Sequence, residues 1–406
     1  MRQRRWSPIL LMVGIGTLMG GYTMAADDLL SPILESHPGL SEVVDQATDY
    51  RLQIVLGLVE EDADGQPVLR QHSFRAGAEY FYPASTVKLF AAVAVAQKLA
   101  ALREETGLAI DMDTPLVFYP QFEHGEPENR DKNNVEDASI TVRQQIREVF
   151  LVSDNQAFNY LYELVGQDGL GASLFLAGLE SPRIVHRLSE FRSPQENLQS
   201  PRIDFVGKDF THTLPERISD PLPPPEPVDH IEVGKGFMSG VDQIDEPMDF
   251  TPKNHFPLID LQRGLCMLVL PDVDCGGAGF ALDDADRAMM LEAMSQYPRE
   301  STNPRYDPEE YPDTYVKDLL PGLERVIPRE RIKIYNKTGQ AYGFSTENAW
   351  VVNTATGKGF FLAATLYTNE DGILNDDHYE YEEVAQPFLA NLGEAVARKL
   401  WQPEDH

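Results

Sequence analysis

The chain has 406 residues, 42% of them hydrophobic, more than a single domain of ~150 residues needs and enough for a sizeable core. Its formal net charge is −31, which argues against nucleic-acid binding, because neutralising phosphates takes clustered Lys and Arg. The acidity reads as a soluble, self-repelling surface and names no substrate.

The N-terminus reads as a secretory signal over residues 1–26, with Arg2, Arg4 and Arg5 ahead of a short apolar stretch, Ile9–Met19, and small residues before Asp27. Gly14, Gly16, Gly20 and Gly21 interrupt the apolar region, so cleavage is expected rather than a retained anchor. No cysteine lies near the cleavage site, which argues against a lipoprotein. No later segment reads as a membrane span, and localisation is expected to be periplasmic or secreted. Residues 27–406 are expected to form one domain and to act as a monomer.

Ser41–Tyr50 fits a helix. Leu52–Val59 and Val68–Phe74 read as strands joined by the turn Asp62–Gly65, a hairpin. Pro83 precedes an Ala-rich helix over Ser85–Leu102. Glu123–Asp137 is charged and reads as a loop. Ser139 or Thr141 caps a helix carrying Val142, Ile146 and Phe150, and a second helix covers Gln156–Val165. From about 181 to 257 the periodic signal fades into a Pro-rich, acidic insertion, expected either to rim the site or to be a partly disordered flap. Helices resume at Pro257–Leu270 and Asp283–Met294. Arg331–Tyr335, Ala349–Asn353 and Gly359–Tyr367 read as strands, and Glu382–Leu400 as an amphipathic closing helix. The expected class is α+β: an antiparallel sheet built from N- and C-terminal segments, flanked by helices, with a mostly helical subdomain inserted. Cys266 and Cys275 fit a disulfide in an exported protein, and a buried thiol at Cys266 fits equally.

Three short motifs stand on this frame: Ser85-Thr86-Val87-Lys88, Ser153-Asp154-Asn155 and Lys337-Thr338-Gly339. A hydroxyl needs an adjacent base to become a nucleophile. Residues three apart share a helix face, so the Lys88 amine can lie against the Ser85 hydroxyl. To accept a proton that amine must be neutral, well below the lysine value of about 10.4, and burial or a second cation such as Lys337 would lower it. Ser153 can relay a proton, Asn155 can hold an amide, and Asp154 can cap the following helix. Lys337 and Thr338 can bind a carboxylate, and Gly339 leaves room for substrate at the strand edge. Each motif alone is weak; S-x-x-K is expected about once by chance in such a chain. Their order and settings together are specific.

The set resembles that of the penicillin-recognising serine hydrolases, the class A β-lactamase-like family most closely. The flanks Phe81–Ala84, Leu89–Ala92, Val152–Asn159 and Asn336–Ala341 share the likeness, which covers roughly residues 45–170 and 257–400. The resemblance implies Ser85 as acylated nucleophile, Lys88 as activator and Ser153 as proton shuttle. Asn155, Lys337, Thr338, Gly339 and Gln340 would contact substrate, with the N–H groups of Ser85 and Gln340 as oxyanion hole. No metal or organic cofactor is implied. The chain departs from the family in one respect: the deacylating E-x-x-L-N motif is absent. Glu190 or Glu196 are the available substitutes, and both also fit ordinary loop acids. The expected activity is therefore β-lactam hydrolysis through an acyl-serine. The alternatives are a D-Ala-D-Ala peptidase or an esterase on the same scaffold, acting on a small-molecule or peptidoglycan-type substrate. A non-catalytic periplasmic binding protein is the third reading, disfavoured because a binding module needs no nucleophile.

Overall fold

The two ends of the chain meet in one antiparallel sheet. Across it the strands run Ile332–Asn336, Phe344–Asn353, Gly359–Tyr367, Gln53–Glu61 and Pro67–Phe74, and the short strand Gly339–Ala341 also pairs with Phe344–Asn353. Ile54 stands opposite Ala364 on one side and Phe74 on the other. The computed structural model describes residues 28–122 and 125–402. The signal expected over residues 1–26 lies outside the described residues.

Side chains alternate across a strand, so each strand feeds two cores. Val55, Trp350, Phe361 and Ala363 join the core on one face; Ile54, Leu56, Val351 and Leu362 join that on the other. The second face is covered by the helices Leu30–Ser36 and Gln386–Trp401 through Leu30, Ile33, Leu389 and Leu392. The first carries the helical part of the molecule.

The helix expected over 85–102 begins as a tighter 3₁₀ turn, Ala84–Val87, and continues as an α-helix over Lys88–Thr106. It ends at Gly107, in the left-handed conformation that lets a chain leave a helix (φ 69°). Contrary to the sequence expectation, this segment is long and apolar enough to pass as a membrane span. It is instead the core helix, buried continuously from Lys88 to Ala96. Thr141 caps Val142–Leu151 by accepting a hydrogen bond from the Gln144 N–H (3.2 Å). The next helix, from Asn155, ends where expected, at the non-helical Gly166 (φ 76°, ψ 165°), and beyond that break a further helical segment, not expected from the sequence, runs on to Leu176. The helix at Ser41 is shorter than expected, ending at Asp45.

Residues 181–257 hold short ladders rather than a featureless flap. Ile203–Val206 pairs with Leu116–Phe118 and Thr211–Leu214, and Gly236–Ser239 pairs with Asp242–Ile244 and Ile373–Leu374. Strands of two to four residues are too short to show an alternating pattern, which is why the sequence did not reveal them. Cys266 and Cys275 form a disulfide, with Cα atoms 6.0 Å apart.

One buried acid under the Ser153 loop makes this part of the fold pH-sensitive. The Glu148 carbonyl accepts hydrogen bonds from the Val152 and Asp154 N–H groups (3.2 and 3.3 Å). Its carboxyl, 3% exposed, accepts from Gln144 Nε2 (3.0 Å) and Asn133 Nδ2 (3.2 Å). Burial, and then the Asp131 carboxylate beside it, push Glu148 up to about 8. The folded state therefore holds a proton that the unfolded chain gives up from about 4.5. Stability falls as pH rises through that window. Replacing Glu148 by Gln is expected to flatten the dependence of Tm on pH between those two values. Thermal melts across the window check this; a slope equal to that of the wild type would contradict it.

Candidate active site

Ser85 stands in the 3₁₀ turn at the head of the core helix, half-buried. The residue before it, Ala84, has φ 47°, a conformation costly for a residue with a Cβ. The turn is held by Thr86, whose N–H and hydroxyl both donate to the Pro83 carbonyl (3.1 and 2.6 Å). Against it lies the edge strand Gly339–Ala341. A Cβ at Gly339 would fall 2.7 Å from the Pro83 oxygen, 2.8 Å from Ser85 N and 3.0 Å from Thr86 N. The glycine thus makes room for the turn that carries Ser85, and it also lines the larger cavity beside Ser85.

Lys88, fully buried one turn on, donates its backbone N–H to the Ser85 carbonyl, but its side-chain amine is directed to other partners than the Ser85 hydroxyl. Its ammonium donates to the Ser153 carbonyl (2.5 Å), Asn155 Oδ1 (2.6 Å) and Ser153 Oγ (3.3 Å). Ser153 projects from the connection between two helices at φ 58°. From the sheet side, Lys337 Nζ donates to the same Ser153 Oγ (2.8 Å) and to the Thr338 carbonyl (2.8 Å). One hydroxyl therefore lies between two amines, and its own proton is left to point elsewhere. Burial, and then the Lys337 cation, hold Lys88 well below the ordinary lysine range, against a weaker pull from Asp154. Burial also brings Lys337 down to about 7; Glu347 opposes this, Lys317 adds to it and Asp318 opposes it.

Asp154 caps the following helix, accepting from the Ala157 N–H (2.8 Å). Asn155 Nδ2 donates to Ser189 Oγ (2.7 Å), tying the motif to the 186–191 segment. Asn159 does the same: its amide accepts from the Leu188 N–H (2.9 Å) and donates to the Leu188 carbonyl (3.1 Å). Gln340 is exposed on the edge strand, its amide near Ser345 Oγ (3.3 Å).

Ser85 opens onto two cavities. One, of about 890 Å³, includes Ser153, Asn155, Thr338, Gln340 and Asp318 in its wall. The other, of about 620 Å³, is walled by Tyr82, His186, Glu190, Phe191, Tyr342 and Tyr381 among others. The structure thus gathers Ser85, Lys88, Ser153, Asn155, Lys337, Thr338, Gly339 and Gln340 in one place. The two candidate bases differ. Glu190 shares the smaller cavity with Ser85, but its carboxylate accepts from Arg192 Nε (2.6 Å) and Asn159 Nδ2 (3.3 Å), with Arg187 at 4.0 Å. Glu196 is not at the site: it completes a capping box, accepting from the Ser193 N–H and hydroxyl (both 2.7 Å). Sequence reading missed the groups behind Lys337, namely Lys317, Asp318 and Glu347. Ordinary-looking charges in a loop and a strand gave no sign that Lys317 and Glu347 are buried or that Asp318 lines the cavity.

Residues 68–213 match the model of the Beta-lactamase enzyme family. A β-lactamase from Desulfarculus baarsii DSM 2075 superposes with a TM-score of 0.50 at 17% identity, over 92% of this chain and 97% of that one. This is the serine β-lactamase fold. L2 in complex with relebactam gives the same TM-score at 16% identity, over 88% of this chain and 94% of that one. A class A β-lactamase from Clostridium kluyveri DSM 555 is also similar, with a TM-score of 0.48 and 14% identity over 88% and 97%. No curated protein matches the chain in sequence. The resemblance to the class A β-lactamase-like family holds, and the α+β architecture is the one expected.

On this β-lactamase fold the Gly339 contact leaves no room for a side chain against the Ser85 turn. Gly339→Ala is expected to push the edge strand off the Ser85 turn and lower the acylation rate about 10²-fold, as misplacement by ~1 Å can. Rates of covalent labelling at Ser85, measured beside Tm, check this. Labelling at the wild-type rate in a folded variant would show that the strand has slack.

Proposed function

We propose that the protein is an exported serine hydrolase that opens β-lactam amides through an acyl-serine intermediate. The observation that carries this is the Ser153 hydroxyl held between the Lys88 and Lys337 amines in the cavity that contains Ser85. In its neutral form Lys88 takes the Ser85 proton as Oγ attacks the carbonyl carbon. The N–H groups of Ser85 and Gln340 receive the developing oxyanion. Ser153 passes its hydroxyl proton to the departing nitrogen and receives from Lys88 the proton taken from Ser85, which leaves Lys88 neutral again. Lys337 and Thr338 hold the substrate carboxylate, and Asn155 its amide. The Cys266–Cys275 disulfide supports export, since such bonds persist in oxidising compartments.

Deacylation needs a base for water, and Glu190 is the candidate that shares a cavity with Ser85. Its ion pair with Arg192 favours a second reading, a peptidase or esterase on the same fold whose penicillin adduct persists.

An intact-mass time course with benzylpenicillin tests both. The adduct is expected on the wild type and not on Ser85→Ala; labelling of the variant would mean a different nucleophile. An adduct that clears with release of hydrolysed product supports the β-lactamase reading, and one that stays supports the peptidase or esterase. If it clears, Glu190→Gln is expected to trap it, whereas Glu196→Gln is expected to leave clearance unchanged. Clearance unaffected by Glu190→Gln would remove Glu190 as the base.

A further inference from the structure

The two cavities beside Ser85 divide an acylating substrate between them. Ser153, which serves the departing nitrogen, and Thr338, which meets the carboxylate, line the larger cavity and not the smaller. The substrate on the other side of the scissile carbonyl, its acyl group, is therefore left to the smaller cavity, of about 620 Å³. Aromatic rings from three separate segments wall that cavity: Tyr82 ahead of the Ser85 turn, Phe191 beyond Ser189, and Tyr342, Tyr379 and Tyr381 from the C-terminal part. Phe191 is 93% exposed. Tyr342 follows the edge strand Gly339–Ala341 and has φ 56°, a conformation that suits Gly or Asn and costs a bulky residue. Its ring meets Tyr82 and Phe250 edge-on, with centres 5.1 and 5.3 Å away. Three of the hydroxyls are engaged: Tyr381 accepts from the Gly343 N–H (2.9 Å), Tyr379 from the Asn375 N–H (2.7 Å) and Tyr342 from Lys253 Nζ (3.4 Å). What these tyrosines still offer a ligand is ring surface. Two of the charged groups in the wall are paired within the protein, Arg187 with Glu163 and Glu190 with Arg192.

The geometry points to the smaller cavity as a subsite for an aryl acyl group, with Phe191 and Tyr342 as the residues that set its specificity. The inference rests on the acyl-serine reading above and names the class of substrate it takes: amides whose acyl part carries an aromatic ring near the carbonyl. A phenyl ring seated there takes its own apolar surface and that of Phe191 out of water. Aromatic rings also attract one another in tilted and edge-on arrangements, like those already present among Tyr82, Phe250 and Tyr342. A short alkyl acyl group gains neither. Phe191 comes from the long insertion, and the insertion strand Gly236–Ser239 pairs with Ile373–Leu374, just ahead of Tyr379 and Tyr381. The insertion thus supplies one part of the aromatic wall and braces another.

The test compares acylation of Ser85 by benzylpenicillin, whose acyl group is phenylacetyl, with acylation by its acetyl analogue. The two share the ring system, the carboxylate and the leaving nitrogen. Rates at subsaturating penicillin are followed by intact mass. The wild type is expected to label with the phenylacetyl compound about 10-fold faster or more, the scale of burying one phenyl ring. Phe191→Ala and Tyr342→Leu are each expected to slow benzylpenicillin by about 3-fold or more and to leave the acetyl compound within about 2-fold. A merely structural effect would slow both compounds alike. Phe191 is almost fully exposed, so its variant opens no core and tests the subsite even where Tyr342→Leu fails to fold. Equal rates for the two compounds in the wild type overturn the subsite, and so does an unchanged ratio in folded Phe191→Ala. Faster labelling by an aminoadipyl penicillin, whose acyl chain ends in charged groups, also overturns it, since Lys253 and Asp377 of the same wall would then select the substrate. If neither penicillin labels Ser85, the acyl-serine reading itself fails, an outcome distinct from labelling by both at one rate.

Discussion

The site depends on one convergence: two lysine amines directed at a single serine hydroxyl. Lys88 comes from the core helix, Ser153 from the connection between two helices of the inserted part, and Lys337 from the sheet. Each amine is buried, so neither can be satisfied by water, and the Ser153 hydroxyl serves as a partner for both. Two ammonium groups this close would repel, and the arrangement is most favourable with one amine neutral. The same geometry that joins the layers of the fold thus favours a neutral amine at one lysine beside a cation at the other.

Holding that convergence places backbone strain and close contacts around it. Ala84 and Ser153 both occupy left-handed conformations next to the reactive groups. The Ser85 turn is clamped from the sheet side by a strand that approaches only because Gly339 has no side chain. Strain of this kind persists where the surroundings over-determine it, and here they do: the core helix is buried from its first turn. Behind the sheet, Asn336 separates the buried Lys317 and Glu347 charges instead of letting them meet directly.

Much of the frame was legible in the sequence because long elements carry strong periods. The hairpin of Gln53–Glu61 and Pro67–Phe74, the helix at Val142 with its Thr141 cap, and the strand Gly359–Tyr367 all follow patterns visible in the residues. The helix Gln156–Val165 ends as expected at the non-helical Gly166, and the further segment to Leu176 was missed. The short ladders of 199–249 were missed because two to four residues set no period. Glu190 and Glu196 looked alike as candidate bases. Only the fold separates them, one beside the Ser85 cavity in an ion pair and the other capping a short helix.

By itself the sequence determined the chemistry available: a serine and a lysine one turn apart, a second serine between helices, and a lysine entering a strand. Those are local facts, set by spacing and by the few residue types that can do nucleophilic and proton-transfer work. Tertiary structure alone decided what these groups become. It brought Lys88 and Lys337 to one hydroxyl, turned Gly339 against the turn that carries Ser85, and buried Lys317 and Glu347. The physical reason is that charge state and access depend on burial and on neighbours far apart in the chain. No spacing along one chain encodes such distances without the fold that closes them.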